Sequence, residues 1–200
     1  MALKIAVKVG NISNLSDARY CAGMGVEMLG FKIDPHLEDA LSPELFNAIT
    51  GWVSGPLIVG EIESSVLPDK DLYEVSCLQV TDVDLLPEIN ARGLDAILAI
   101  DISKRDAGEL DVLMNKHSKD VKYYLLTVED GSNLSDHYLD QISKWIGKYP
   151  IMLAFGINSD NLDAILNLEI NAISINGSKE IRPGYKSYDE MADILEALEA

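Results

Sequence analysis

The densest chemistry in the chain lies in its last quarter. One segment reads Ala154-Phe155-Gly156-Ile157-Asn158-Ser159-Asp160-Asn161; a second reads Ile175-Asn176-Gly177-Ser178-Lys179-Glu180, with Arg182-Pro183-Gly184 beyond. Glycine next to short amide and hydroxyl side chains lets backbone N–H groups approach an anion, and a helix starting there adds a favourable dipole. Gly156, Asn158, Ser159, Asn176, Gly177, Ser178 and Lys179 are therefore candidate phosphate-binding residues, and Lys179 or Arg182 could add a charge contact. The competing reading makes Gly156 and Gly177 turn formers only.

Acid–base candidates are more diffuse. Lys32 and Asp34, Glu61 and Glu63, Asp82, Asp101, Glu129 and Asp130 all fall near the ends of apolar runs. Residues two apart on a strand face the same way, so Lys32/Asp34 or Glu61/Glu63 could pair. Adjacent carboxylates push one pKa upward and can yield an acid and a base. Such residues are also abundant by composition, since 33 Asp+Glu stand against 16 Lys+Arg for a net charge of −17. His36, His117 and His137 are scattered, with no H-x-H, H-x-x-x-H or C-x-x-C spacing, so neither a metal site nor a cofactor is expected. Cys21 and Cys77 sit in apolar surroundings and read as reduced core thiols.

The elements that must position these groups follow from hydrophobic period, which switches repeatedly between two and 3.6. Strands are expected at 3–9, 28–33, 56–62, 77–80, 95–102, 121–128, 151–157 and 171–176. Helices are expected at 16–25 (capped by Ser16), 42–53, 85–93, 106–118, 135–148, 159–168 and 187–200, with a weak one around 67–75. Alternating strands and helices imply parallel pairing with right-handed crossovers. Eight units exceed the usual open sheet and point to α/β architecture closed as a single-domain (β/α)8 TIM barrel spanning 1–200. Function then belongs at the strand C-termini. Phe31, Tyr123, Tyr124 and Phe155 read as core, Trp52 and Trp145 as outer-shell packing, and Met191, Ile194, Leu195 and Leu198 as the docking face of the last helix.

Composition excludes other classes. With 48% hydrophobic and 24% charged residues the chain reads as globular, and a charge of −17 disfavours nucleic acid and anionic membranes as partners. No apolar run approaches the length of a membrane span, and the first residues lack the pattern of a signal peptide, so a cytoplasmic location is expected.

Several motifs, in order, resemble the phosphoribosylanthranilate isomerase family. Residues 8–18, KVGNISNLSDA, are similar to its K-I-C-G-I-T-N-x-x-D-A; Gly25–Phe31 to its G-A-D-x-x-G-F; and Ser42-Pro43-Glu44 to its S-P-x-x-A. Residues 155–162 resemble G-G-L-x-P-x-N-V, and 174–179 with 183–187 resemble V-S-S-G-V-E…P-G-x-K-D. The resemblance implies a small (β/α)8 barrel, a phosphate held by the last two loops, and an Amadori rearrangement of an aminoaldose to an aminoketose. Such a reaction uses a general base after strand one and a general acid after strand six. The family's cysteine base aligns with Gly10 and its aspartate acid with Thr127; its S-P-R arginine aligns loosely with Asp39, and its Q-L-H-G with Gln79-Val80-Thr81-Asp82. Glu129 and Asp130 are the candidate substitutes for the aspartate, through a shifted register. Asp17, retained from the N-x-x-D-A pattern, is expected to brace the first helix.

Three readings follow. The first is a divergent homologue with lost or altered activity that binds a phosphorylated small molecule. The second is an authentic isomerase with substitute acid and base, and the third a non-catalytic barrel scaffold. Residue chemistry favours the first, as a monomer or homodimer.

Overall fold

The computed structural model describes residues 2–129, 133–177, 180–182, 185–186 and 189–200. Eight parallel strands close on themselves: β1 (Ala6–Gly10), β2 (Met28–Lys32), β3 (Leu57–Glu61), β4 (Cys77–Val80), β5 (Asp95–Asp101), β6 (Tyr123–Thr127), β7 (Ile151–Leu153) and β8 (Ala172–Asn176). Closure is made by β8 on β1, in register from Ala6↔Ala172 to Gly10↔Asn176. Each strand pairs with its sequence neighbour, as right-handed crossovers require. The expected (β/α)8 barrel is what forms.

The crossovers carry α1 (Leu15–Gly23), α2 (Pro43–Thr50), α3 (Leu86–Ala91), α4 (Ala107–Lys116), α5 (Asp136–Ser143), α6 (Leu162–Leu166) and α7 (Asp189–Ala197). Their starts are set by capping: Ser42 accepts from Leu45 N–H ahead of Pro43, and Asp106 accepts from Gly108 and Glu109 N–H. In α1 the cap is Asn14, bonded to Asp17 N–H at 2.9 Å, and not Ser16; Asp17 lies fully buried in the first turn.

The weak helix expected around 67–75 does not form. Pro68 pushes its predecessor toward extended backbone, and the acidic run after it offers no apolar stripe to bury. Between β3 and β4 the chain is an irregular strap held by side chains. Asp69 accepts from Asp71 N–H at 3.1 Å, the Tyr73 hydroxyl donates to the Leu41 carbonyl at 2.9 Å, and Arg92 donates to the Pro68 carbonyl at 2.9 Å. The Tyr73 ring stands edge-on to Phe46, 5.2 Å between centroids. After β8 comes a second departure, an antiparallel pair β9 (Glu180–Arg182) and β10 (Tyr185–Lys186).

Side-chain alternation along the strands builds two cores. Met28, Val59, Cys77, Ile97, Leu125, Met152 and Ala172 fill the barrel, while a larger cluster including Phe31, Phe46, Tyr124 and Trp145 packs strands against helices. Met191, Ile194, Leu195 and Leu198 of the last helical segment dock as expected. Trp52 does not: α2 ends at Thr50, and the indole beyond it is 75% exposed. Cys21 and Cys77 are buried and free, and burial pushes both thiols up to about 12.

One carboxylate ties the loops after β2 and β3. Asp34 is fully buried and accepts from the N–H groups of His36 (3.0 Å), Glu63 (3.0 Å) and Ser64 (2.6 Å) and from the Ser64 hydroxyl (3.1 Å). Burial alone would raise its pKa, but these donors together hold it below the usual 3.8. A depressed folded-state pKa means stability present above the unfolded value and lost as pH falls through the folded one. Asp34→Ala is expected to cost about 2–4 kcal/mol at neutral pH by orphaning these donors. In denaturant titrations the gap between wild type and variant should narrow below about pH 4.

Candidate functional site

The carboxyl ends of the eight strands surround one mouth, and alternation decides what they present to it. Two residues above the apolar interior layer come Lys8, Glu61, Gln79, Thr127 and Ser174, on the same strand faces as Ala6, Val59, Cys77, Leu125 and Ala172. The floor of the mouth is therefore polar although the barrel beneath it is not.

At its centre is an ion pair. Lys8 is 1% exposed and its Nζ donates to Glu61 Oε1; Glu61, 8% exposed, lies at the end of β3. Oε2 accepts from the Asn11 N–H at 3.2 Å, which Asn11 supplies by adopting a left-handed backbone, φ 56°. Asn tolerates that region better than other non-glycine residues. Two strand glycines make the space. A Cβ on Gly10 would lie 2.7 Å from Glu61 Oε1, 3.1 Å from Lys8 Nζ and 3.2 Å from Asn176 Oδ1. A Cβ on Gly30 would overlap the same Glu61 carboxylate. The volume that a side chain at position 10 would use is thus occupied.

The expected pairs Lys32/Asp34 and Glu61/Glu63 are not found. Lys32 bonds Asp39 at 2.5 Å, which raises the lysine pKa and lowers that of the carboxyl, while Asp34 serves the loops and Glu61 serves Lys8. The reason is that β2 ends at Lys32 and β3 at Glu61, so the two-residue rule stops applying there.

On the β5–β6 side, the Thr127 hydroxyl donates to the Ile100 carbonyl at 3.2 Å. Its register partner is Asp101, so a carboxylate does stand beside Thr127, but on the neighbouring strand. Asp101 Oδ1 accepts from Ser103 N–H (2.9 Å) and Oγ (2.6 Å). Lys104 reaches Asp101 at 3.6 Å and Glu129 at 2.8 Å, and hydrogen bonding to Glu129 raises the lysine pKa. These groups border a cavity of about 800 Å³ that Glu63, Thr81 and Thr127 also line. Glu129 sits at its rim with a mostly exposed side chain. Asp130 lies outside the described residues.

The loops after β7 and β8 are adjacent because these strands pair, Met152↔Ala172 and Leu153↔Ile173. Gly156 has φ +63°, and a Cβ there would run into the Leu134 backbone, so only glycine fits. Asn158 accepts from Asp160 and Asn161 N–H, both at 3.1 Å, while its own N–H goes to Asn161 Oδ1 at 3.0 Å. Asn161 Nδ2 donates to the Gly156 carbonyl at 2.6 Å, completing a rigid turn with Ser159 exposed on it. Asn176 ends β8 exposed, and the Gly177 N–H donates to the Gly10 carbonyl at 2.7 Å, pinning the β8 loop to β1. Ser178 and Lys179 lie outside the described residues. Among the described residues no His/Cys/Asp/Glu group could hold a metal ion, and no helix is long and apolar enough to cross a membrane.

The Lys8–Glu61 pair is what sequence reasoning missed. The signal was there in two charges within apolar strands and two glycines, at 10 and 30, interrupting neighbouring strands.

No protein-family model matches the chain. Among curated proteins it is similar to the N-(5'-phosphoribosyl)anthranilate isomerase of Syntrophus aciditrophicus, 28% identical over 203 residues covering 96% of this chain and 86% of the relative. Among solved structures it superposes on the phosphoribosyl anthranilate isomerase of Thermus thermophilus with a TM-score of 0.76 at 20% identity, covering 97% of this chain and 98% of that one. A further phosphoribosyl anthranilate isomerase, solved in complex with reduced 1-(o-carboxyphenylamino)-1-deoxyribulose 5-phosphate, matches with a TM-score of 0.72 at 21% identity, covering 97% and 98%. Along almost the whole chain, in sequence as in fold, this protein is thus similar to phosphoribosylanthranilate isomerases, and its fold is a (β/α)8 barrel.

Proposed function

We propose that this barrel binds a phosphorylated small molecule at its mouth and has abandoned the cysteine–aspartate route of isomerisation, leaving an altered or lost activity. The observation that carries the reading is at Gly10, where the carboxylate of Glu61 and the ammonium of Lys8 occupy the space a cysteine side chain would need. At the other catalytic position, Thr127 offers only a hydroxyl, already donated to Ile100. General acid and base groups contribute roughly 10²–10⁴-fold each, so their loss removes most of a two-group mechanism. Glu129 or Asp130 would stand in for the acid in any residual isomerisation; Lys104 reaches Glu129 at 2.8 Å at the rim of the mouth.

For the ligand, the support is the pairing of β7 with β8, which sets the rigid Gly156–Asn161 turn beside Asn176 and Gly177, together with the phosphorylated ligand held by one of the barrel's structural neighbours. Gly156, Asn158, Ser159, Asn176, Gly177, Ser178 and Lys179 would form the phosphate end. The protein would act in the cytoplasm as one domain, a monomer or homodimer, without nucleic acid or cofactor. Two buried free thiols fit a reducing compartment.

Turnover of N-(5'-phosphoribosyl)anthranilate, followed by fluorescence loss, is expected to run at least ~100-fold below a true family isomerase assayed alongside. Activity equal to the control would overturn the reading. Because of the overlap at Gly10, Gly10→Cys with Thr127→Asp should restore less activity than the same pair combined with Glu61→Val and Lys8→Met, which removes both charges together and relieves the overlap. Ser159→Asp places a negative charge on the turn where an acidic residue suits a helix start. It should weaken binding of inorganic phosphate at least ~10-fold while leaving the melting temperature within a few degrees, read by calorimetry.

A further inference from the structure

Outside the mouth, a groove among the outer helices gathers unmatched positive charge and an unused amide. The loop after β5, the start of α4 and one face of α5 enclose an open cavity of about 480 Å³. We propose that this groove is a second ligand site and that it takes a mononucleotide, with the base against Tyr138 and Gln141 and the phosphate toward Arg105 and Lys144. Of the residues that line it, Arg105 alone also borders the mouth cavity, so the two sites are distinct.

Helical spacing builds one wall. His137, Tyr138, Gln141 and the C-capping Lys144 recur along α5 at intervals of three and four residues, which puts them on one face. Ile102, buried at the end of β5, and Ala107, the first residue of α4, add apolar surface. The Tyr138 ring is held in place, edge-on to Phe155 with 5.3 Å between centroids and tilted against the His137 ring at 5.6 Å. Every nucleobase has a π face, so a fixed aromatic ring takes a base whatever its identity.

Gln141 is the observation that points to a ligand. It packs inward beside Ile142 and is only 7% exposed, and what it leaves accessible lines the cavity. Among the described residues its side-chain amide makes no hydrogen bond. An apolar side chain would suit so buried a helix position better, because a buried polar group needs a partner. A carboxamide presents donors and an acceptor side by side, the complement of a base edge such as the amino group and ring nitrogen of adenine.

Charge supplies the other half. Arg105, His137 and Lys144 line the groove, and among the described residues none of them enters an ion pair. They stand apart from Lys8, Lys32 and Lys104 of the mouth, each of which holds a carboxylate. Of the carboxylates in the same lining, Asp106 is committed to the N–H groups that open α4, and Asp140 is exposed at the rim. A phosphate carried in on a base therefore meets cations whose hydrogen-bonding capacity is unspent.

The test titrates the full chain by calorimetry with adenosine 5'-monophosphate and uridine 5'-monophosphate, and with adenosine and inorganic phosphate as their separate parts. Wild type should bind at least one mononucleotide at least ~10-fold more tightly than either part. Gln141→Met should weaken that binding at least ~10-fold while the melting temperature holds or rises, since the variant removes a buried amide that bonds to nothing in the protein. The exposed Lys144→Glu should weaken the mononucleotide at least ~10-fold and leave adenosine unchanged. Ser159→Asp, on the turn after β7, should leave mononucleotide binding as in wild type. Failure of wild type to bind either mononucleotide, or unchanged binding in Gln141→Met or Lys144→Glu, overturns the inference. Binding lost in Ser159→Asp and kept in Gln141→Met would put the nucleotide at the phosphate end, sinking this inference while the phosphate reading stands.

Discussion

A lysine and a glutamate inside a closed barrel constrain everything around them. Neither charge survives burial without the other, because an unpaired ion in that setting costs several kcal/mol. The pair bridges β1 and β3 across β2, so the strand between must be glycine where the carboxylate passes, at Gly30, and β1 must be glycine where it arrives, at Gly10. The remaining carboxylate oxygen draws the Asn11 N–H toward it, which forces that residue left-handed and turns the chain so that Ile12 N–H reaches the Gly30 carbonyl at 2.8 Å. Gly177 then bonds the freed Gly10 carbonyl. The first and last loops of the mouth are fixed by a chain of necessities that begins with one ion pair.

That same chain of contacts explains how the mouth manages charge in so acidic a protein. Lys8, Lys32 and Lys104 stand on three sides of it, and each is matched to a carboxylate: Glu61, Asp39 and Glu129. Each of these three lysines is therefore neutralised where it stands. At the β7 end the Asn158–Asn161 turn is held by its own hydrogen bonds rather than by charge.

Much of the architecture was legible because barrel strands are buried on both faces and stand out as apolar runs. CLQV at 77–80 became β4 without adjustment; most others lost residues at their ends, β1 shifted to take in Gly10, and β7 kept only Ile151–Leu153 of the expected 151–157. Local spacing failed where the chain left regular structure. Lys32/Asp34 and Glu61/Glu63 obey the strand rule on paper, yet each second member lies past a strand end. Trp52 fell within an apolar helical pattern but beyond the turn at Gly51. Lys8 and Glu61 are 53 residues apart, and no local period links them; only barrel closure brings β1 and β3 to the same interior. The site was therefore legible as a place, at the strand ends, and not as a set of partners.

The strap between β3 and β4 has a consequence of another kind. A crossover helix maintains its own backbone ladder, whereas this segment is held by tethers thrown from elsewhere, from Tyr73 to Leu41 and from Arg92 to Pro68. Residues added or removed between those anchor points disturb no helical repeat and shift no strand register. The barrel wall therefore carries a seam, one place on its circumference where the fold can be lengthened, nicked or re-threaded while the remaining strands keep their order.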